Sequence, residues 1–114
     1  MRIERELMRG AGPLAVLKLL QRHEMYGYEL VEALSARTDG VLAMGQSTLY
    51  PLLYNLEAKG LIKATWREGE TGKQRKYYAL TSKGKARLAK DEAQWSALTA
   101  AMASLGLSPK AAAS

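Results

Sequence analysis

The hydrophobic pattern changes period at Gly60, which restricts the chain to folds in which a helix feeds directly into a hairpin. Before that point Leu49, Leu52, Leu53 and Leu56 recur at i, i+3, i+4 and i+7, the stripe of an amphipathic helix, and Lys59-Gly60 ends the run with a cation and a C-terminal glycine. Beyond it Ile62, Ala64 and Trp66 alternate with Lys63, Thr65 and Arg67, and Lys76, Tyr78 and Leu80 alternate with Tyr77 and Ala79. A period of two marks strands. The polar stretch Glu68 to Gln74 holds two glycines and makes the pair a hairpin with a protruding loop.

Two further helices are expected upstream. Gly10 and Gly12 interrupt the weak pattern of Ile3, Leu7 and Met8, so a helix is predicted to begin at Pro13, whose fixed φ suits a first turn. It carries Leu14, Val16, Leu17 and Leu20. A second spans about Tyr26 to Arg37 on Leu30, Val31 and Leu34, and Thr38-Asp39-Gly40 stops it. After the hairpin, Thr81 or Ser82 caps a last helix running toward Leu105-Gly106. The order helix, helix, helix, strand, strand, helix gives a mainly α fold with a small β-hairpin. Residues 1–81 are expected to form a winged helix-turn-helix with an N-terminal helical extension, residues 82–106 a C-terminal dimerisation helix and residues 107–114 a flexible tail.

A chain of 114 residues has room for one modest core. Its net charge of +6 favours an anionic partner, and the placement is more telling: residues 61–90 hold nine Lys or Arg against two Glu. With no cysteine, disulfides and thiolate chemistry are excluded, in keeping with the reducing cytoplasm. The charged start and the lack of a long apolar run argue against a signal peptide or a membrane span. His23 is the single histidine and sits where a helix C-terminus would use it, so no acid, base or metal cluster supports an enzyme, and neither cofactor nor metal is expected. Gly69 to Lys73 superficially matches a phosphate-binding loop, but Arg67 and Gln74 occupy the positions that need Gly and Ser or Thr.

At about 100° per residue, the third helix places Ser47, Tyr50, Pro51, Tyr54 and Ala58 opposite its leucines. Two tyrosines on a solvent face leave rings in water unless a partner covers them, while each hydroxyl can donate to a phosphate or base edge. Gln46, Ser47 and Thr48 stand at the positive end of the helix dipole. Lys73, Arg75 and Lys76 cluster at and after the hairpin tip, within reach of phosphates beside a groove. The competing class is a winged helix that binds protein without DNA, since fold does not fix function.

Leu88, Trp95 and Met102 are spaced by sevens, and Leu98 and Leu105 follow the latter two by three, a short heptad seam interrupted by Asp91. It predicts a homodimer, with Ile3, Leu7 and Met8 adding to the contact, although packing on the same subunit also fits the spacing.

Met25-Tyr26-Gly27-Tyr28-Glu29-Leu30, Ser47-Thr48-Leu49-Tyr50-Pro51-Leu52-Leu53, Leu56-Glu57-Ala58-Lys59-Gly60-Leu61-Ile62 and Arg75-Lys76-Tyr77-Tyr78-Ala79-Leu80-Thr81, followed by Gly84, resemble the PadR family of bacterial transcriptional regulators. The resemblance covers about residues 7–105 and implies a dimeric winged-helix repressor on a roughly palindromic operator. It assigns the major groove to Gln46, Ser47, Thr48, Tyr50, Pro51 and Tyr54, and the flanking backbone to Lys73, Arg75 and Lys76. It also implies Tyr28, in the preceding helix, as a further phosphate contact. The single helix after Thr81 is similar to the family's short branch. In its multidrug-sensing members a tryptophan at the dimer centre stacks planar compounds, which makes Trp95 the residue to compare for binding a small aromatic effector.

Overall fold

The computed structural model describes residues 1–107, and the tail expected from residue 107 therefore lies, from residue 108, outside the described residues. The elements follow in the order α1 (Arg5–Arg22), β1 (Met25–Tyr26), α2 (Gly27–Ala36), α3 (Gln46–Ala58), β2 (Ile62–Glu68), β3 (Gln74–Leu80) and α4 (Ser82–Ser104). The fold is that of a winged helix: three helices, a wing formed by the β2–β3 hairpin, and one long helix after it.

The period change at Gly60 is a complete helix stop. Gly60 has φ +76°; its N–H donates to the Glu57 carbonyl at 2.9 Å and the Leu61 N–H to the Leu56 carbonyl at 3.0 Å. This pair of bonds satisfies carbonyls that a helix end leaves open, and it needs a left-handed residue where glycine stands. The next residues enter β2 without a loop. β2 pairs antiparallel with β3 in the register Ile62↔Leu80, Ala64↔Tyr78 and Trp66↔Lys76, so the alternating residues share one face.

Two expectations are corrected here. The first helix does not wait for Pro13: α1 starts at Arg5 and runs through Gly10, Gly12 and Pro13. Gly12 is buried where α1 crosses α3, and a Cβ on it would lie 3.2 Å from Leu52 Cδ1. The glycine that weakens the helix locally is what lets the two helices approach. It also leaves no Cβ to collide with the Pro13 ring, the contact that usually keeps a residue before proline out of a helix. Second, the sheet has three strands in the order β1-β3-β2, because Met25 and Tyr26 pair with Tyr78 and Tyr77. Two residues are too few to show alternation.

The core joins Val16, Leu17 and Leu20 of α1, Leu30 and Leu34 of α2, Leu49, Leu53 and Leu56 of α3, and Ile62, Tyr78 and Leu80 of the sheet. Leu88 belongs there too. Expected in the partner-facing seam, it is 1% exposed within its own subunit and has no surface left for a second chain. The reason is position: the first turns of α4 lie over the domain, anchored by Thr81, whose Oγ1 accepts from the Gly84 N–H at 2.9 Å and donates to the Gly60 carbonyl at 2.6 Å. Farther along, α4 is tied to α1 by the Lys18–Glu92 ion pair at 2.7 Å and then presents Trp95, Leu98, Met102 and Leu105 on its exposed surface.

Candidate nucleic-acid interface

Each side of α3 has a different neighbour. Leu49, Leu53 and Leu56 are buried, while Gln46, Ser47, Thr48, Tyr50, Pro51 and Tyr54 are all exposed. Tyr54 is the most open of the two tyrosines at 76%, against 44% for Tyr50. Thr48 and Pro51 border a groove of about 800 Å³ between α1, α3 and α4, so the predicted reading face is broader than one stripe. Pro51 lacks the N–H that would bond the Ser47 carbonyl, leaving that acceptor open at the exposed surface.

Tyr50 leans toward the wing. A Cβ on Gly27 would fall 2.4 Å from its hydroxyl and 2.9 Å from its Cζ, so the ring rests on the bare backbone at the start of α2. Sequence reasoning did not find this seat. The signal was available in Tyr26-Gly27-Tyr28, a glycine in the first turn of a helix, where the missing Cβ lets a neighbour approach the backbone. The α2 entry is instead fixed by Glu29, whose carboxylate accepts from the Tyr26 N–H at 3.0 Å. Tyr28, one residue beyond Gly27, is 51% exposed on the same end of α2.

The three predicted wing cations are not equivalent. Lys73 stands at the exposed tip, where the Gly69 N–H donates to the Lys73 carbonyl at 2.7 Å and Gly72 turns the chain at φ +82°. Among the described residues it makes no ion pair. The Arg75 guanidinium lies 4.3 Å over the Tyr26 ring, and Lys76 reaches Glu57 of α3 at 3.8 Å with its ammonium 5.6 Å from the Tyr78 ring. Both are half-buried, each held against a side chain of the same subunit. Arg67 extends this ladder: it pairs with Glu24 and covers Tyr77 at 4.3 Å, and Tyr77 meets Tyr26 edge to face at 5.4 Å. Such stacks add to the strand pairing that joins the wing to β1. The Tyr78 hydroxyl is held above the ordinary phenol range, first by burial and then by the negative charge of Glu57.

His23 is the C-cap residue of α1 and its ring bonds the Glu24 carbonyl at 2.8 Å. Among the described residues no group of three or more His, Cys, Asp or Glu could hold a metal, and no helix is long and apolar enough to cross a membrane.

Residues 16–90 match the model of the transcriptional regulator PadR-like family. The chain belongs to this family. A solved PadR family transcriptional regulator from Eggerthella lenta is 39% identical with a TM-score of 0.76, the match covering 88% of this chain and 85% of that one. An uncharacterised protein of Lysinibacillus sphaericus is 33% identical over 93 residues, covering 82% of this chain and 85% of its own length. The transcriptional regulator YqjI of Escherichia coli is 39% identical over 71 residues, which cover 62% of this chain but only 32% of YqjI. This PadR-family protein is thus a transcriptional regulator and not an enzyme.

The predicted dimer residues of the regulator fall into three groups. Leu7, Trp95, Leu98, Met102 and Leu105 are exposed, with Leu98 at 46% and Leu105 at 77%. Ile3 and Met8 are half-buried, Ile3 donating its N–H to the Val41 carbonyl at 3.2 Å and Met8 packing against the core. Leu88 is interior, as described above. Trp95 borders both the α1–α3–α4 groove and a second groove of about 630 Å³ between α1, α2 and α4.

Proposed function

We propose that the regulator binds double-stranded DNA as a homodimer and represses transcription from the cytoplasm by occupying a roughly palindromic operator. The observation that carries this reading is the pairing of the exposed Tyr50 and Tyr54 face of α3 with a basic wing one hairpin later. A groove-reading helix needs side chains that offer both ring surface and a hydroxyl, and flanking cations that fix its register on the phosphates. Gln46, Ser47 and Thr48 enter first at the helix N-terminus, and Pro51 borders the α1–α3–α4 side of the reading face while Tyr50 borders the wing side. Lys73 grips the backbone at the tip, while Arg75, Lys76 and Tyr28 supply the inner contacts.

The exposed row Trp95, Leu98, Met102 and Leu105 supports the dimer, because nothing among the described residues of its own subunit covers it. Residues 82–106 act as the dimerisation helix and residues 1–81 as the DNA-binding unit, with Leu7 adding to the contact beside the more enclosed Ile3 and Met8. Two copies would place half-sites one helical turn, about 34–36 Å, or a multiple of it apart. The row also brings paired Trp95 rings to the centre, where a planar aromatic effector would stack and loosen the operator grip.

The test selects bound fragments from genomic duplex and follows affinity by anisotropy as salt rises. For about six phosphate contacts the affinity falls roughly a thousandfold between about 50 and 200 mM salt. A folded protein that binds no duplex at about 50 mM salt is instead a protein-interaction module, and the proposal fails. In the same assay a panel of planar aromatic compounds should include one that shifts Trp95 emission and weakens binding.

A further inference from the structure

Trp66 is the largest side chain on the wing and is 63% exposed. Its register explains why. It shares the β2 face with Ile62 and Ala64, which turn toward the core, but it lies one step past the core's edge, opposite Lys76. There the same face becomes one wall of a cleft of about 290 Å³, whose other walls are Tyr50 of α3, Gly27 of α2, and Gln74 and Lys76 of β3. An indole held in water on a strand costs hydrophobic free energy unless a partner covers it, and this one stands between the reading helix and the wing tip.

We infer that Trp66 is a DNA-contacting residue, its indole lying against the deoxyribose of a strand that passes between α3 and the wing. The cleft has the matching chemistry: a flat apolar ring for the sugar, an indole N–H for a phosphate oxygen, and Lys76 opposite it in the register of the hairpin. The charge favours an anionic backbone over an apolar peptide as the occupant, since Arg75 and Lys76 both border the cleft. Glu57, the carboxylate paired with Lys76 at 3.8 Å, is not among the residues that line the cleft. The contact is to the backbone, so it is sequence-independent, and it rests on the DNA-binding reading given above.

The chain has two tryptophans, Trp66 and Trp95, so fluorotryptophan labelling of the whole protein gives two ¹⁹F resonances. Loss of one in Trp66→Phe assigns it. The probe is a mixed-sequence duplex of about three helical turns at about 50 mM salt, with binding followed in parallel by anisotropy of the labelled duplex. At saturation the Trp66 resonance should shift and lose most of its H₂O-to-D₂O solvent shift. Trp66→Ala should weaken binding about tenfold, as truncation of a buried aromatic anchor does, with an unchanged salt slope because no charge is removed. Trp66→Phe should recover most of that loss. Far-UV circular dichroism establishes that both variants keep the fold. A duplex bound with full anisotropy change, but with the Trp66 resonance and its solvent shift unmoved, overturns the inference while leaving DNA binding intact. No anisotropy change overturns both.

Discussion

Replacing Gly84 by alanine should destabilise this fold, although in an ordinary helix the same substitution stabilises. Gly84 is the third residue of α4, and a Cβ there would lie 1.9 Å from the Leu61 carbonyl oxygen, 2.9 Å from its carbon and 3.2 Å from Leu80 Cδ2. Neither partner can yield cheaply. Leu61 is held by its own N–H on Leu56 at 3.0 Å and by Thr81, whose N–H donates to the Leu61 carbonyl at 3.1 Å. Gly84 is held by the Thr81 hydroxyl. Alanine contributes about 0.5–1 kcal/mol of helix propensity; against it stand overpacking of about 1–3 kcal/mol and loss of a backbone hydrogen bond worth about 1 kcal/mol. The net is a destabilisation of about 1–3 kcal/mol, or a Tm lowered by roughly 5–15 °C for a domain of this size. Thermal and urea unfolding at one fixed protein concentration measure it. Gly10→Ala is the matched control, since a Cβ at Gly10 of α1 meets nothing within 4 Å and should raise stability. A Gly84→Ala protein as stable as Gly10→Ala would refute the reasoning.

Three more outcomes are expected. Gly27→Ala pushes the Tyr50 ring off its seat and should weaken duplex binding, and adding Tyr50→Ala to it should cost far less than Tyr50→Ala alone; additive losses in that double-mutant cycle would show that the seat does not matter. Tyr78 keeps its proton to higher pH when folded than when unfolded, so its contribution is complete below the ordinary phenol pKa of 10.0 and is lost as pH rises beyond it. Tyr78→Phe should therefore lose less stability than the parent in urea titrations above about pH 10, and parallel profiles would contradict this. Leu98→Glu places a charge in the exposed α4 row and, for the proposed dimer, should halve the mass in sedimentation while leaving helix content unchanged; an unaltered mass would contradict the proposed α4 seam.

The sequence patterns specified the main architecture because the decisive signals were local. The leucine stripe, the Gly60 stop, the alternation on both sides of the wing loop and the Thr81 cap each depend on neighbours within a few residues. The helix through Gly12 and Pro13 did not, since its reason is the crossing with Leu52, forty positions away. The pairing of Met25 with Tyr78 is likewise non-local. At the candidate interface, periodicity found the exposed face of α3 but not the distribution of its neighbours: Tyr50 rests on Gly27, Thr48 borders a side groove, and Glu57 holds Lys76. Heptad spacing in α4 could not distinguish Leu88, which covers its own core, from Trp95, which lies beyond the point where that core ends.

The division of labour between helix and wing is tested most directly by two variants measured on two duplexes. Tyr54→Ala removes the most exposed ring on α3, and Lys73→Ala removes the tip cation. On a selected operator Tyr54→Ala should bind about tenfold more weakly while holding mixed-sequence duplex almost as before. Lys73→Ala should weaken both and lower the salt slope by about one. Equal losses from both variants on both duplexes, or no loss from either, would contradict the assignment of base reading to α3 and backbone contact to the wing.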